Sequence, residues 1–428
     1  MDSQSRRIIP PDIDQAVVEE SLKFVVRYFS SNWLSQPELH PIRVLWNSMD
    51  AIATCQLLWL GSSLKVLSAI DSRWVDDAVS KMKSNQENRS GFAFELLVLP
   101  MFVLGGHTVI PAKPGQAGYD ADIGLASGKR LRVSLKNFGA TKHAKAFEKD
   151  ASELHDVLEK KATEERLDDI SLTAIGNRYP RTKDWISLQN VFKTLPGTSD
   201  GEQLVGDVWH LIASWKVPDP GVGSPGLTSS IAIITPQHEN EKKNFLDKIA
   251  SECGAFSRLS EEKPANMLSA VIFRLSEAAP LTEFAAWAKE YINRERTHLD
   301  GVIFMHTAVT FEATTGETSM THHVTPVWKD GLESPDLKMT AIVGRISPDP
   351  IREILTTAGG NFSLAGMHWY YRSERFVRSQ MKSDGSIAVE IPPHPPGTVV
   401  RGILEVPGGG SIILSSRHKM SEKVALYS

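Results

Sequence analysis

The sequence contains little cysteine. Cys55 and Cys253 are its 2 cysteines among 428 residues, and they lie far apart in the chain. Two such residues cannot form a disulfide framework, a zinc knuckle or a CxxC redox pair. A protein without these features suits a reducing compartment, so the sequence predicts a cytoplasmic location.

Long apolar runs are also missing. The two longest, Ile52–Leu60 and Leu96–Leu104, are interrupted by Gln56 and Pro100. Both fall short of the roughly 20 residues that span a bilayer. The first residues, Met1–Arg7, lack the apolar centre of a secretory signal. We therefore expect no membrane partner.

The chain has no large excess of either charge, with 47 basic and 51 acidic residues and a formal net charge of -4. This balance argues against a wholly basic nucleic-acid coat but permits a local basic patch. No acidic residue occurs between Asp122 and Glu148, although this stretch is rich in basic residues. Because basic and amide side chains bind phosphate oxygens, we predict a nucleic-acid-binding set. It comprises Lys129, Arg130, Arg132, Asn137, Lys142 and Lys145.

A chain of this length predicts two to three domains of about 150 residues each. Apolar residues at three- and four-residue spacing predict a helical N-terminal domain over 1–88, with breaks at Gly61-Ser-Ser and Asp71-Ser. Alternating helix and strand patterns predict an α/β domain over 89–330, although 169–229 gives mixed signals. Mostly β patterns predict a small C-terminal β domain over 339–428.

The most informative window runs from Phe94 to Lys145. A helical stretch, 91–105, carries one carboxylate, Glu95, among apolar residues. Three strand patterns follow at 107–111, 121–126 and 130–138, and then a charged helix at 141–165.

Candidate catalytic residues lie at the ends of the two hairpin strands. Asp120 and Asp122 stand at the start of one strand, and Ser134 and Lys136 lie near the end of the next. In a hairpin these two ends are opposite each other, so Asp120 or Asp122 should lie beside Lys136. Carboxylates hold magnesium with its bound waters, which can act as nucleophiles. The lysine would orient the water or stabilise charge on a phosphate.

This arrangement resembles the PD-(D/E)XK nuclease superfamily over 91–165. The resemblance implies a restriction-endonuclease-like mixed sheet flanked by helices, in an α/β (α+β) protein. It makes Glu95 the helix carboxylate near the metal, Asp122 or Asp120 the metal-binding aspartate, and Lys136 the catalytic lysine. We favour Asp122, because an apolar strand follows it. The implied activity is hydrolysis of DNA with Mg²⁺ or Mn²⁺, as in restriction or anti-phage defence proteins.

One position departs from the family. Ser134 stands two residues before Lys136, where members usually carry an acidic residue. The first hypothesis is therefore an endonuclease with Glu95, Asp120 or Asp122, Ser134 and Lys136 at its site. The second is a catalytically inactive nuclease fold that binds DNA or protein, and the third is an assembly protein. DNA is the predicted ligand, RNA stays open, and a second copy or another protein is an expected partner of the terminal domains.

Overall fold

A computed structural model describes most of the chain. The described residues are 13–36, 40–48, 51–84, 89–113, 118–139, 141–165, 169–194, 201–216, 228–258, 264, 266–275, 281–294, 298–312, 317–341, 345–346, 367–373, 378–381, 387–390, 399–405 and 411–417.

Helices occur in the first three quarters of the chain. In order they are α1 (Gln15–Phe29), α2 (Ser31–Leu34), α3 (Pro41–Ser48), α4 (Ala51–Ser84), α5 (Arg89–Leu104), α6 (Lys142–Glu165), α7 (Thr182–Thr194), α8 (Glu241–Ser257) and α9 (Leu281–Arg294).

Strands begin after the first five helices. The first ten are β1 (Thr108–Pro111), β2 (Ala121–Gly124), β3 (Arg130–Phe138), β4 (Asp169–Gly176), β5 (Gly201–Val205), β6 (Trp209–Lys216), β7 (Thr228–Pro236), β8 (Met267–Leu275), β9 (Gly301–Glu312) and β10 (Glu317–Trp328). The remaining six are β11 (Arg345–Ile346), β12 (Met367–Ser373), β13 (Arg378–Met381), β14 (Ile387–Glu390), β15 (Val399–Glu405) and β16 (Ser411–Arg417).

The fold is mixed α/β, which confirms the predicted class at this level. Contacts divide the chain into two compact units. The first takes the described residues of 1–139 and 242–352, and the second those of 140–241 and 353–418. The consecutive domain boundaries near 88 and 330 stay a prediction.

The first unit is built on a seven-stranded sheet in the order β1-β2-β3-β8-β9-β10-β11. Strands β3, β8 and β9 are parallel, and the neighbouring pairs on either side of them are antiparallel. Side chains alternate between its two faces, as expected of strands. Leu135 packs with α1, α4 and α5 in one core, whereas Phe138 packs with α8 and α9 in another. The helical N-terminal region thus shares its core with the sheet.

The second unit has a five-stranded mixed sheet in the order β12-β7-β4-β6-β5. Strands β4 and β7 are parallel, and the other pairs are antiparallel. Phe147 of α6 and Trp185 of α7 pack on its apolar residues. One reason for the mixed signals over 169–229 is that β5 presents mostly exposed residues and so lacks the pattern of a buried strand.

Helix α4 includes both breaks predicted from the sequence. The break at Gly61 is wrong, because the helix continues through it. Gly61 is needed for packing instead: a Cβ there would lie 2.1 Å from the backbone oxygen of Ser21 in α1. The break at Asp71 is confirmed, since its φ of -151° is not helical and its side chain accepts a hydrogen bond from Trp74 N at 3.0 Å.

Helix α4 also has the length and composition of a membrane span. It is the one such helix among the described residues, and 72% of its most apolar window is buried inside the protein. The core helix of a soluble protein shows burial of this kind. Little apolar surface of this window is left exposed to contact lipid.

The packing of α1 on α4 yields a stability prediction. Gly61→Ala should lower the free energy of unfolding by about 1–3 kcal/mol, because the added methyl group forces the two helices apart. Gly91→Ala is the matched control, since a Cβ at this helical glycine meets no atom within 4 Å. Urea unfolding of both variants measures the difference. Equal effects of the two substitutions would contradict the proposed close approach.

Candidate active site

The β2–β3 hairpin positions Asp120 beside Lys136. Asp120 directly precedes β2, whose first residue, Ala121, pairs with Val133 of β3. The Asp120 carboxylate therefore lies beside the residues that follow Val133. Its Oδ2 accepts a hydrogen bond from the backbone N–H of Leu135 at 2.6 Å. Lys136 Nζ lies 3.9 Å from the same oxygen. The prediction that one of the two aspartates lies beside Lys136 is confirmed, and that aspartate is Asp120.

Asp122 makes a different set of contacts. It pairs directly with Arg132 across the hairpin. Its Oδ1 accepts from Arg132 Nε at 2.9 Å, and its Oδ2 accepts from Arg130 at 3.0 Å. Asp122 is buried, so these two arginines compensate its charge. The aspartate favoured from the sequence therefore lies two positions further along β2 than the one beside Lys136.

Glu252 of α8 is a site residue that the sequence analysis missed. Its Oε2 accepts a hydrogen bond from Ser134 Oγ at 3.0 Å and lies 3.5 Å from Lys136 Nζ. Both Glu252 and Ser134 are buried. A carboxylate thus reaches, from a helix, the place that an acidic side chain at position 134 would otherwise fill.

Helical spacing explains why Glu252 points at the sheet. Phe245, Ile249 and Phe256 form the buried face of α8, and Glu252 lies on the same face. A single carboxylate within an apolar helical stripe is costly to bury unless it meets a partner. This signal was present in the sequence, but only the fold shows that Ser134 and Lys136 are the partners.

Glu95 completes the group from α5. Burial, and to a smaller extent the negative charge of Asp120, raise its pKa to about 8 against the opposing positive charges of Lys136 and Lys81. The Glu95 carboxyl group therefore holds its proton at neutral pH. Its electrostatic coupling to Asp120 and Lys136 shows that the helix carboxylate lies near the hairpin pair.

Two carboxylates therefore contact the Lys136 ammonium group, and the Glu95 carboxyl group lies near them. Ser134 Oγ also lies 3.4 Å from Asp120 Oδ2, so both Ser134 and Lys136 contact Asp120 and Glu252. Carboxylate oxygens are the donors that magnesium prefers. Within the described residues, no three His, Cys, Asp or Glu side chains stand close enough to form a ready-made metal site. Asp120 and Glu252 are the residues best placed to hold an ion, with Glu95 next to them.

The predicted nucleic-acid-binding residues fall into two groups. In the first unit, Arg130 and Arg132 bind Asp122, Lys129 lies 3.6 Å from Glu333, and Asn137 accepts a hydrogen bond from Arg274 at 3.0 Å. These four side chains are therefore already engaged within the protein. In the second unit, Lys142 and Lys145 are exposed at the start of α6.

No protein-family model, curated protein or solved structure matches the chain. The relationship to the PD-(D/E)XK superfamily therefore stays a prediction. It depends on the residues and contacts described above.

The raised pKa of Glu95 predicts how stability depends on pH. Because the native state holds the proton more tightly than the unfolded chain, this group stabilises the fold fully below about pH 4.5. The stabilisation is lost as pH rises through its native pKa of about 8. Between these values, wild type should lose more stability with rising pH than Glu95→Gln.

Urea unfolding at about pH 6 and about pH 9 measures this difference. Glu19→Gln, on the exposed surface of α1, is the matched control and should follow the wild type. Identical pH dependence of wild type and Glu95→Gln would show that the Glu95 carboxyl group is ionised in the native protein.

Proposed function

We propose that the protein is a metal-dependent endonuclease that hydrolyses phosphodiester bonds in DNA. The observation that carries this proposal is the convergence of Asp120, Glu252 and Glu95 on Lys136. One positively charged side chain among several carboxylates, reached from a hairpin and two helices, supplies both metal ligands and a phosphate contact. The hypothesis of a restriction-endonuclease-like sheet fits the order of elements from α5 to α6 and belongs to the same proposal.

The absence of an acidic residue at position 134 removes one expected metal ligand. The Glu252 carboxylate, which lies beside Ser134 and Lys136, supplies a replacement. In the proposed site Asp120 and Glu252 hold Mg²⁺ or Mn²⁺, and Glu95 adds a third carboxyl group. The ion supplies a nucleophilic water at neutral pH and stabilises charge on the phosphate. Ser134 donates to Glu252 and fixes the direction of its carboxylate.

Lys136 supplies a positive charge and a hydrogen-bond donor. Its ammonium group lies between Asp120 and Glu252, where it compensates two negative charges in the absence of an ion. If Asp120 and Glu252 held a cation, the Lys136 ammonium group would be available to donate a hydrogen bond to a phosphate oxygen of the substrate. Such a donor stabilises the charge that develops in the transition state.

In this proposal Asp122 stabilises the hairpin through ion pairs and is not a metal ligand. It forms ion pairs with Arg130 and Arg132, and the Arg132 guanidinium also lies over the ring of Tyr119 at 4.2 Å. The exposed Lys142 and Lys145 are the members of the predicted set with the greatest access to DNA, and RNA stays open as a substrate. A cytoplasmic location and a role in restriction or anti-phage defence complete the proposal.

A nuclease-derived module without activity is the second candidate. The finding that favours it is that the described residues contain no ready-made cluster of metal ligands. The Lys136 ammonium group also lies where an ion would be held. In this case the fold would serve to bind DNA or a protein partner. Measured affinity for Mn²⁺ separates the two candidates.

Cleavage of supercoiled plasmid and of labelled single- and double-stranded DNA and RNA, with magnesium or manganese, tests the activity. Asp120→Asn, Glu252→Gln and Lys136→Ala should each lower the rate by about 10²–10⁴-fold, because each removes a charged group of the site. Asp122→Asn is the matched comparison. It should cost stability and retain more activity than Asp120→Asn.

Rates are compared at temperatures where each variant is folded, with EDTA as the control for metal dependence. Loss of cleavage in Asp122→Asn alone would place the ion at the aspartate favoured from the sequence. If wild type cleaves no substrate with either metal and binds no Mn²⁺, the endonuclease proposal is wrong.

The position of the second carboxylate can be tested by moving it. Glu252→Gln should inactivate the protein, and adding Ser134→Glu should restore part of the cleavage, because both side chains reach the same place beside Lys136. A recovery of about tenfold or more over Glu252→Gln would correspond to roughly 1.4 kcal/mol. The combination Ser134→Gln with Glu252→Gln has the same size without the charge. Equal rates in the two double variants would contradict the shared role.

A further inference from the structure

Two histidine rings lie stacked on each other in the second unit. His143, in the first turn of α6, and His238, in the segment between β7 and α8, have ring centres 3.6 Å apart and an interplanar angle of 7°. Tyr179, between β4 and α7, stands nearly at right angles to both, with its ring centre 4.8 Å from that of His238 and 5.9 Å from that of His143. We call these three residues the histidine stack. All of them belong to the second unit.

Hydrogen bonds hold both histidines in place. The backbone N–H of Asn240 donates to Nδ1 of His238 at 3.1 Å, so this ring nitrogen is an acceptor and carries no proton. The Tyr179 hydroxyl donates to the backbone oxygen of His143 at 2.8 Å. The observed arrangement therefore requires a neutral ring at His238, because a protonated ring has two donors and no acceptor.

A second contact joins the same two segments of the chain. Thr141, the residue before α6, accepts at Oγ1 from the N–H of Ala144 at 3.1 Å. Its hydroxyl donates to Oε1 of the buried Glu241 at 2.7 Å, and Glu241 is the first residue of α8. The start of α6 is thus joined to the segment 238–241 by one hydrogen bond and by the histidine stack.

Stacking at this distance favours neutral rings. Two positively charged rings with centres 3.6 Å apart would repel each other, and protonation of His238 would also remove the acceptor of the Asn240 N–H. Burial lowers the pKa of His143 below its ordinary value of 6.5, and the charge of Lys142 adds to this effect. Burial, and then the charge of His143, lower the pKa of His238.

Other charged groups around the stack act in both directions. Among the residues whose side chains the structure describes, these groups are Lys142, Asp150, Glu239 and Glu241. The two glutamates favour the protonated form of His238, but burial and the charge of the other ring outweigh them. Tyr179 stays neutral, because burial, with Asp150 and Glu241, raises its pKa to about 12.

We propose that the histidine stack is an acid-sensitive latch, which holds the start of α6 against the segment 238–241 at neutral pH and opens when its rings are protonated. Histidine suits this role because its charge changes between about pH 5 and 8. The two segments contain the positions where the chain enters the second unit, after Gly139, and leaves it, after Glu241. Opening would loosen both connections. The latch does not depend on the proposed nuclease activity.

Amide hydrogen exchange of the full chain at about pH 7.5 and about pH 5.5 tests the latch. The native rings bind protons less tightly than released rings, so the stabilisation is complete above about pH 6.5 and is lost as the pH falls below it. After correction for intrinsic exchange, protection of the Asn240 and Ala144 amides should fall about tenfold at the lower pH. Amides of β6, in the same unit, should keep their protection.

Two substitutions remove the titration and keep the contacts. His143→Phe retains a ring to stack, and His238→Asn retains a side-chain acceptor for the N–H two residues on. The double variant should keep its protection at Asn240 and Ala144 at both pH values. His298→Gln, at an exposed histidine of the first unit, is the control and should lose protection as the wild type does.

NMR titration of the two rings in the wild type supplies a measurement that needs no variant. Both rings should titrate below pH 6.5, together with the loss of protection at Asn240. A titration of either ring at or above pH 6.5 would overturn the proposal. Unchanged protection of the wild type at about pH 5.5, or an equal acid-dependent loss in the folded double variant, would overturn it as well.

Discussion

The hydrogen bond from the Leu135 N–H to the Asp120 carboxylate is the contact on which the candidate site depends. At 2.6 Å it fixes a side chain at the start of β2 against a backbone position between Ser134 and Lys136. The Leu135 side chain lies in the opposite core, while the side chains of Ser134 and Lys136 face α8. The hairpin by itself therefore brings Asp120, Ser134 and Lys136 together, without a contribution from any helix.

Charge balance on this face of the sheet follows a simple rule. Each cation of β3 has a carboxylate opposite it or above it: Arg132 has Asp122, and Lys136 has Asp120 and Glu252. Removing one partner of a buried pair leaves an uncompensated charge, which costs more than the pair contributes. A serine at position 134 is therefore tolerable because Glu252 supplies negative charge from α8. Nothing in the strand alone would reveal this compensation.

Local patterns predicted much of the first unit. Strand β3 follows from strict alternation of apolar and polar residues, and its bounds match the expected 130–138. Helix α5, at Arg89–Leu104, lies within two residues of the expected 91–105. The predicted hairpin also put an aspartate beside Lys136, as observed for Asp120. Pairing in a hairpin could be predicted because the two strands are close in sequence. The choice between Asp120 and Asp122 was beyond the sequence, because it depends on which aspartate faces the arginines. Glu252 was beyond it too, because more than one hundred residues separate it from Ser134.

The two clusters of charge in the first unit differ in a way that their surroundings explain. On the sheet, alternation sends every second side chain toward α8, and carboxylates from β2 and α8 can meet each cation there. Around Trp33 of α2, the aromatic ring contacts the cations of Arg43 in α3 and Lys83 in α4. A ring attracts cations through its quadrupole but carries no net charge to cancel them. The cations on the sheet are thus paired with carboxylates, whereas those at Trp33 contact an uncharged ring.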